Sequence, residues 1–229
     1  MTKPFILLFA LLSNIATFNA QNDCSVFYPF TEGSTAQITT YGKKEKVASI
    51  VDYQVTHVAA DSGNTIATIK SLISDKNNEL ISESSYDITC TNEGIEIDFK
   101  SLFNPQLVEQ FNGMETEISG TNVVLPNDLT VGQQLPDADL QVKVNMGGIN
   151  MNMDFIMSDR KVVGEESVTT PAGTFECFVI TYSTSFKMGM NRKGAAKQWI
   201  SKGVGLVKQE DYNKKGKVTS SSLLTSFSK

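Results

Sequence analysis

The sequence predicts a mainly β protein built on antiparallel sheet, with one short helix at about 105–112. Three observations predict it. Apolar residues recur at every second position along many short runs, turn-forming residues separate those runs, and helical periodicity is rare.

The first twenty residues stand apart from that pattern. Lys3 gives a positive start, Phe5 to Leu12 form an apolar run, and Ala20 offers a cleavage position before Gln21. Residues 1–20 therefore read as a secretory signal peptide and 21–229 as a single β domain that is exported, either periplasmic or secreted. The apolar run is too short to span a bilayer. No other segment approaches the ~18 apolar residues a span needs, so the chain is expected not to cross a membrane. Gln21, Asn22 and Asp23 precede Cys24, where a lipid-attachment signal requires small or apolar residues, so Cys24 is not expected to carry a lipid.

Along the expected domain, Val47, Val51, Tyr53 and Val55 share one parity. Leu80, Tyr86, Ile88 and Cys90 share another, as do Ile95, Ile97 and Phe99, and Val142, Val144 and Met146. Such runs are strands with one face on a core and one in water. Turns fall between them at Tyr41 to Lys44, Asp61 to Asn64, Asp75 to Asn78, Asn92 to Gly94, Pro171 to Gly173 and Asn213 to Gly216. The helix is expected where Asn104-Pro105 supplies a start, Leu107, Val108 and Phe111 one face, and Gly113 an end. Residues 122–139, with Pro126, Gly132 and Pro136, read as an irregular connection across one end of the sheet.

The whole chain carries 20 basic and 25 acidic residues, a net charge of −5, which argues against nucleic acid as a partner. The charge is uneven. From Lys187 onward there are ten Lys or Arg, and only Glu210 and Asp211 oppose them. Either these strands complement acidic neighbours in the sheet, or they present a basic face to an anionic partner.

Three cysteines in an oxidising compartment suggest one disulfide and one spare thiol. The expected pair is Cys24–Cys90, which ties the N-terminus to the body. Cys177 shares a face with Phe175 and Val179 and suits a buried free thiol.

Catalytic chemistry is hard to find. The single histidine, His57, ends a strand-like run, and the nucleophile-elbow, zinc-protease, P-loop and dinucleotide motifs are all missing. Glu165 and Glu166 are adjacent, and adjacent strand residues point to opposite faces. The expectation is a non-enzyme with no catalytic residues, no metal and no cofactor.

Methionine is the distinctive feature. Ile149, Met151, Met153, Phe155 and Met157 alternate with Asn150, Asn152, Asp154 and Ile156. Phe186, Met188 and Met190 share a face in the same way near the end of the strand from Thr174, and Met146 ends a neighbouring run. Gly147-Gly148 reads as a tight turn that sets the two runs side by side. Three readings are open: packed core, a pliable apolar pocket, or thioethers presented to a soft metal. The methionines and phenylalanines among them, eight residues, are the candidate ligand-binding set.

Two blocks carry a family likeness: Asp159-Arg160-Lys161-Val162-Val163-Gly164-Glu165-Glu166 through Thr170-Pro171-Ala172-Gly173-Thr174 to Phe178, and Gln198-Trp199-Ile200-Ser201-Lys202-Gly203-Val204-Gly205-Leu206-Val207-Lys208. They resemble TapB-like proteins and the DUF3108-like family of exported proteins from Bacteroidetes-type bacteria. The resemblance implies a single curved antiparallel sheet forming an open or incompletely closed barrel, similar to periplasmic lipoprotein carriers. It carries over no catalytic residues. The TapB name implies association with a tetratricopeptide-repeat protein.

The resulting expectation is an exported, non-enzymatic, barrel-like module holding an apolar or amphipathic, lipid-like ligand on its Met-rich concave face. The alternative is a cell-envelope interaction or structural module acting on a tetratricopeptide-repeat or other envelope partner.

Overall fold

The computed structural model describes residues 25–98, 115–146 and 149–229. The expected signal peptide, Cys24, the 105–112 helix and the Gly147-Gly148 turn lie outside the described residues.

The described residues are nearly all strand, in one antiparallel sheet that almost closes into a barrel and leaves one unsealed seam. In chain order the strands are β1 Thr35–Tyr41, β2 Val47–Asp61, β3 Asn64–Ser74, β4 Leu80–Thr91, β5 Gly94–Ile97, β6 Glu115–Thr121 and β7 Val123–Pro126. They continue as β8 Ala138–Met146, β9 Ile149–Thr170, β10 Gly173–Met188, β11 Met190–Ser201, β12 Gly205–Asn213 and β13 Val218–Ser228. Across the sheet the order is β6-β8-β9-β10-β11-β12-β13-β1-β2-β3-β4-β5-β7. The expected turns fall between strands. At Asp61 to Asn64, Ser62 and Gly63 both adopt positive φ (50° and 87°), the geometry a two-residue hairpin turn requires.

The two edge strands are consecutive in sequence, with only Asn122 between them. One extended segment therefore serves both edges. Its first half pairs with β8 (Ile118 opposite Val142) and its second half with β5 (Leu125 opposite Ile95). A strand that changes partners midway leaves each half with an unpaired side, and that is the seam. The stretch expected to be wholly irregular thus contains β7, and Pro126, which has no N–H to donate, ends it at the edge where a missing donor is tolerated.

A side chain spans the seam beside β7. Arg160 of β9 is buried, and its Nη1 donates to the carbonyls of Val124 (3.0 Å) and Pro136 (2.6 Å). Next to it, residues 132–135 run along β9: Leu135 N donates to Arg160 O (2.8 Å), Val162 N to Gln133 O (2.9 Å) and Gly132 N to Val162 O (2.8 Å). A local irregularity in β9 points Arg160 inward. Asp159 has φ +56°, and the β9–β10 register shifts between Thr181 and Ser183. The extra residue flips the parity, so that Met153 and Met157 face in before it and Arg160 and Val162 after it.

The inner face forms the main core, running from Val55, Ala67, Ile69, Ile88 and Ile95 through Val123 and Leu125 to Val162, Ile180 and Ile200. The N-terminal segment closes one end. Phe27 is fully buried and meets Phe178 edge-on, with ring centroids 5.9 Å apart. Gly203 N donates to Val26 O (2.8 Å), and Val26 N donates to Asn127 Oδ1 (3.2 Å). Gly205 is required here twice over: its φ is +90°, and a Cβ would lie 2.7 Å from the Tyr28 ring. The outer face carries ion pairs, including Lys70–Glu83 (2.8 Å) and Lys143–Glu117 (3.3 Å). An apolar inside with a charged outside is the reverse of a membrane-spanning barrel, and among the described residues no helix is long and apolar enough to cross a membrane.

Replacing Arg160 with Leu keeps the bulk but leaves two carbonyls at the seam without a donor. The expected loss is about 2–4 kcal/mol of stability, read by urea unfolding followed through Trp199 fluorescence. An unchanged midpoint would show that the seam holds without the guanidinium.

Candidate binding cavity beneath the N-terminal segment

The interior is not filled everywhere. A cavity of about 130 Å³ lies between the N-terminal segment, the inner faces of β1 to β5, and the start of β12. Strand alternation builds its walls. Ala36 and Ile38 come from β1, Tyr53 and Val55 from β2, Ile69 from β3, and Tyr86 and Ile88 from β4, each pair two residues apart on one face. Tyr28 descends from the N-terminal segment and rests on Gly205. No charged residue lines the cavity.

Its polar groups are few and unpaired. Ser34 is 2% exposed and its Oγ has no hydrogen-bond partner. The hydroxyls of Tyr28, Tyr53 and Tyr86 likewise make no hydrogen bond among the described residues. Buried polar groups are nearly always paired, and among the described residues the buried side-chain atoms without a partner are Ser34 Oγ, in the cavity lining, and Arg160 Nε. Burial pushes all three phenols above their ordinary pKa, and their mutual proximity adds to it for Tyr28 and Tyr86. They stay protonated and can donate. The nearest cation is Arg160, which acts on Tyr28 in the opposite sense and favours its ionised form. Burial in turn lowers the pKa of Arg160, and its Nε is also without a partner.

The Met-rich set lies elsewhere. Met153 (2% exposed) and Met157 (5%) are packed, the first against Leu140, Val142 and Val144, with Met151 and Phe155 half-buried beside it. Phe186 stands opposite Phe155 in the β9–β10 register, and Met188 opposite Met153. Met190 does not extend the strand from Thr174. Gly189, at φ +72°, turns the chain there, and Met190 opens β11 facing Met188. These two are exposed, at 44% and 73%. The backbone of Met146 pairs with Ile149. Among the described side chains of the set, none lines the cavity.

A second cluster sits on the outer face. Phe178 and Ile200 belong to the interior, so their neighbours Cys177, Val179 and Trp199 face out, where with Val207 they form a small buried group. Trp199 Nε1 donates to Glu166 Oε2 (2.7 Å), and the ammonium groups of Lys197 and Lys208 each lie 4.5 Å from its ring centre. The bond from Trp199, then that from Lys197, lowers the Glu166 pKa. This carboxylate is fully engaged, which suits an anchor. Cys177 is a buried free thiol, its pKa pushed up to about 11 mainly by burial. His57 is exposed and contacts only Glu32 (3.0 Å). Among the described residues no three His, Cys, Asp or Glu side chains gather as a metal site.

The phenol burial has a measurable signature. The sequence contains six tyrosines. Tyr28, Tyr53, Tyr86 and Tyr182 all have folded pKa values above the usual one, mainly through burial. A raised folded pKa means that their contribution to stability is whole below the unfolded value of about 10 and is lost as pH rises beyond it. Tyr212 is also pushed up, to about 12, by burial and by Glu210. Tyrosinate absorbance should therefore show five phenols silent just above pH ~10 until the fold gives way, whereas in urea all titrate together. Early titration of the five would contradict these shifts.

Comparison with known proteins agrees with the architecture. A candidate exported protein with a YmcC-like fold from Bacteroides fragilis superposes with a TM-score of 0.73 at 21% identity, covering 90% of this chain and 100% of that one. A candidate lipoprotein from Parabacteroides distasonis gives 0.72 at 25% identity, with the same coverage. No curated protein matches. The DUF3108-like family model matches residues 31–224, the whole sheet from just before β1 into β13, and the chain belongs to that family.

Proposed function

We propose that the protein is a non-enzymatic binding module of the cell envelope that holds the end of an apolar or amphipathic ligand in the interior cavity. The observation that carries this reading is the cavity itself: mostly apolar walls that include three tyrosines, with the buried Ser34 Oγ lacking a partner. Such a space suits a hydrocarbon group ending in, or interrupted by, a hydrogen-bond acceptor such as a carboxylate, ester or ether oxygen. Two solved relatives, one described as exported and one as a lipoprotein, support the envelope as its location.

Size limits the ligand. An engineered cavity of roughly 150 Å³ admits benzene, so 130 Å³ takes a ring or about six carbons, not a whole two-chain lipid. Six buried methylenes contribute roughly 5 kcal/mol, enough for a dissociation constant near ~0.2 mM before any contact outside the cavity.

An environment-sensitive fluorescent fatty acid is the probe. Its binding should weaken at least about tenfold in Ala36→Leu, which fills the space, and stay unchanged in Met188→Asp, with thermal midpoints recorded for both. The reverse pattern would place the ligand on the Met-rich face and overturn the cavity reading, as would failure of the probe to bind the native protein.

We also propose that Cys90 pairs with Cys24. Cys90 is buried in the interior core, while Cys177 is free on the opposite face of the sheet. A loop of roughly 66 residues gives such a link about 4 kcal/mol in the chain-entropy model. Peptide mapping without reductant should recover Cys24 and Cys90 in one linked pair and Cys177 alone. A linked peptide containing Cys177 would refute the pairing.

A further inference from the structure

Strand direction sorts the connections onto the two ends of the barrel. The N-terminal segment, the β2–β3, β4–β5, β9–β10 and β11–β12 turns and residues 127–137 lie at the end that holds the cavity. The β1–β2, β3–β4, β10–β11 and β12–β13 connections lie at the other. Charge follows this division. The far-end connections, taken as 42–46, 75–79, 187–193 and 213–217, carry ten Lys or Arg against Glu45, Asp75 and Glu79. The segments around the cavity, the C-terminus included, carry Glu32, Asp61, Glu93, Asp128 and Asp137 against Lys202 and Lys229. Sequence order hides this polarity, because four separated segments supply the cations.

All ten far-end cations are exposed, and none makes an ion pair among the described residues. The β10–β11 tip adds an apolar element. Met188 and Met190 face each other across Gly189 at 44% and 73% exposure, with Lys187 on one side and Arg192 and Lys193 on the other. Exposed thioethers inside a collar of cations are poorly suited to water and well suited to an interface. There the cations meet phosphates while the apolar tip enters the headgroup layer.

We infer that this end of the barrel docks on an anionic phospholipid surface, with Met188 and Met190 inserted and the lysines of the neighbouring tips on the headgroups. The cations are distributed over the rim of a barrel end and do not line a groove. A rim matches a plane of negative charge better than it matches a single acidic peptide or strand. Docked this way, the protein holds the cavity end away from the membrane. This surface is independent of the cavity reading, and either can fail alone.

Sedimentation with phosphatidylcholine vesicles, with and without phosphatidylglycerol, tests it on the purified chain. Binding is expected only with phosphatidylglycerol and should fall as salt rises. Neutralising Lys214, Lys215 and Lys217 to Gln should lower the partition coefficient roughly a hundredfold. Met188→Ser with Met190→Ser should remove the part of the binding that resists salt. Asp61→Asn with Glu93→Gln, at the opposite end, should change nothing, and thermal midpoints confirm that each variant is folded. Three results would overturn the inference: no binding to phosphatidylglycerol vesicles at low salt, equal binding by the triple Gln variant, or retention on soluble heparin without retention on vesicles.

Discussion

Everything in this barrel depends on how the sheet meets itself. An antiparallel sheet with two open edges would expose rows of unpaired N–H and C=O groups, which invite pairing with other chains. Here a single segment, β6 followed by β7, supplies both edges, so the ring closes through the chain but not fully through hydrogen bonds. Arg160 takes up the remainder beside β7. Burying a guanidinium is costly, and desolvation shows in its lowered pKa, yet two carbonyl acceptors and the nearby Asp137 favour keeping it charged. The inward turn of Arg160 rests on the irregularity at Asp159. One left-handed residue thus governs closure, and closure encloses the core.

Closure also explains why the cavity is where it is. The inner faces of β1 to β5 converge beneath the N-terminal segment, which reaches in with Phe27 and Tyr28 and leaves space around the tyrosines. Away from that end the inner face turns polar and its groups are paired: Gln198 donates to Gln209 (2.7 Å), Gln209 and Ser220 to Asp211, and Thr40 meets Ser222 (2.8 Å). The buried hydroxyl without a partner, Ser34 Oγ, lies at the cavity, and that contrast within one interior gives it weight as a binding feature.

Much of the fold was legible because alternation is a local property. The runs from Val47 to Val55 and from Tyr86 to Cys90 are strands with the expected faces inward, and Cys177 and Val179 do share a buried face. Long-range relations were not legible. Asp159 looks like any surface aspartate, and nothing in its neighbours announces a parity flip. Val123 to Pro126 is too short, and too close to Pro126, to show a pattern, so β7 went unseen. The methionine row is on an inner face, as alternation implies, but its packing depends on β6 and β8 lying across it. For the cavity a signal was present: Tyr53 and Tyr86 stand on the inner faces of strands two apart in the sheet. Two phenols facing one core are a weak clue until Tyr28 and Ser34 join them from a segment with no periodicity at all.

Cys177 has a consequence for how such a chain matures. In an oxidising compartment, and with Cys24 and Cys90 paired as proposed, a third thiol would be able to capture the wrong partner or to link two molecules. Once the strands are paired, Cys177 is 3% exposed, and a pKa of about 11 leaves only about one thiolate in ten thousand at neutral pH. Burial between paired strands therefore keeps the folded Cys177 thiol out of exchange, and the thiol is open to the hazard before β10 meets β9 and β11.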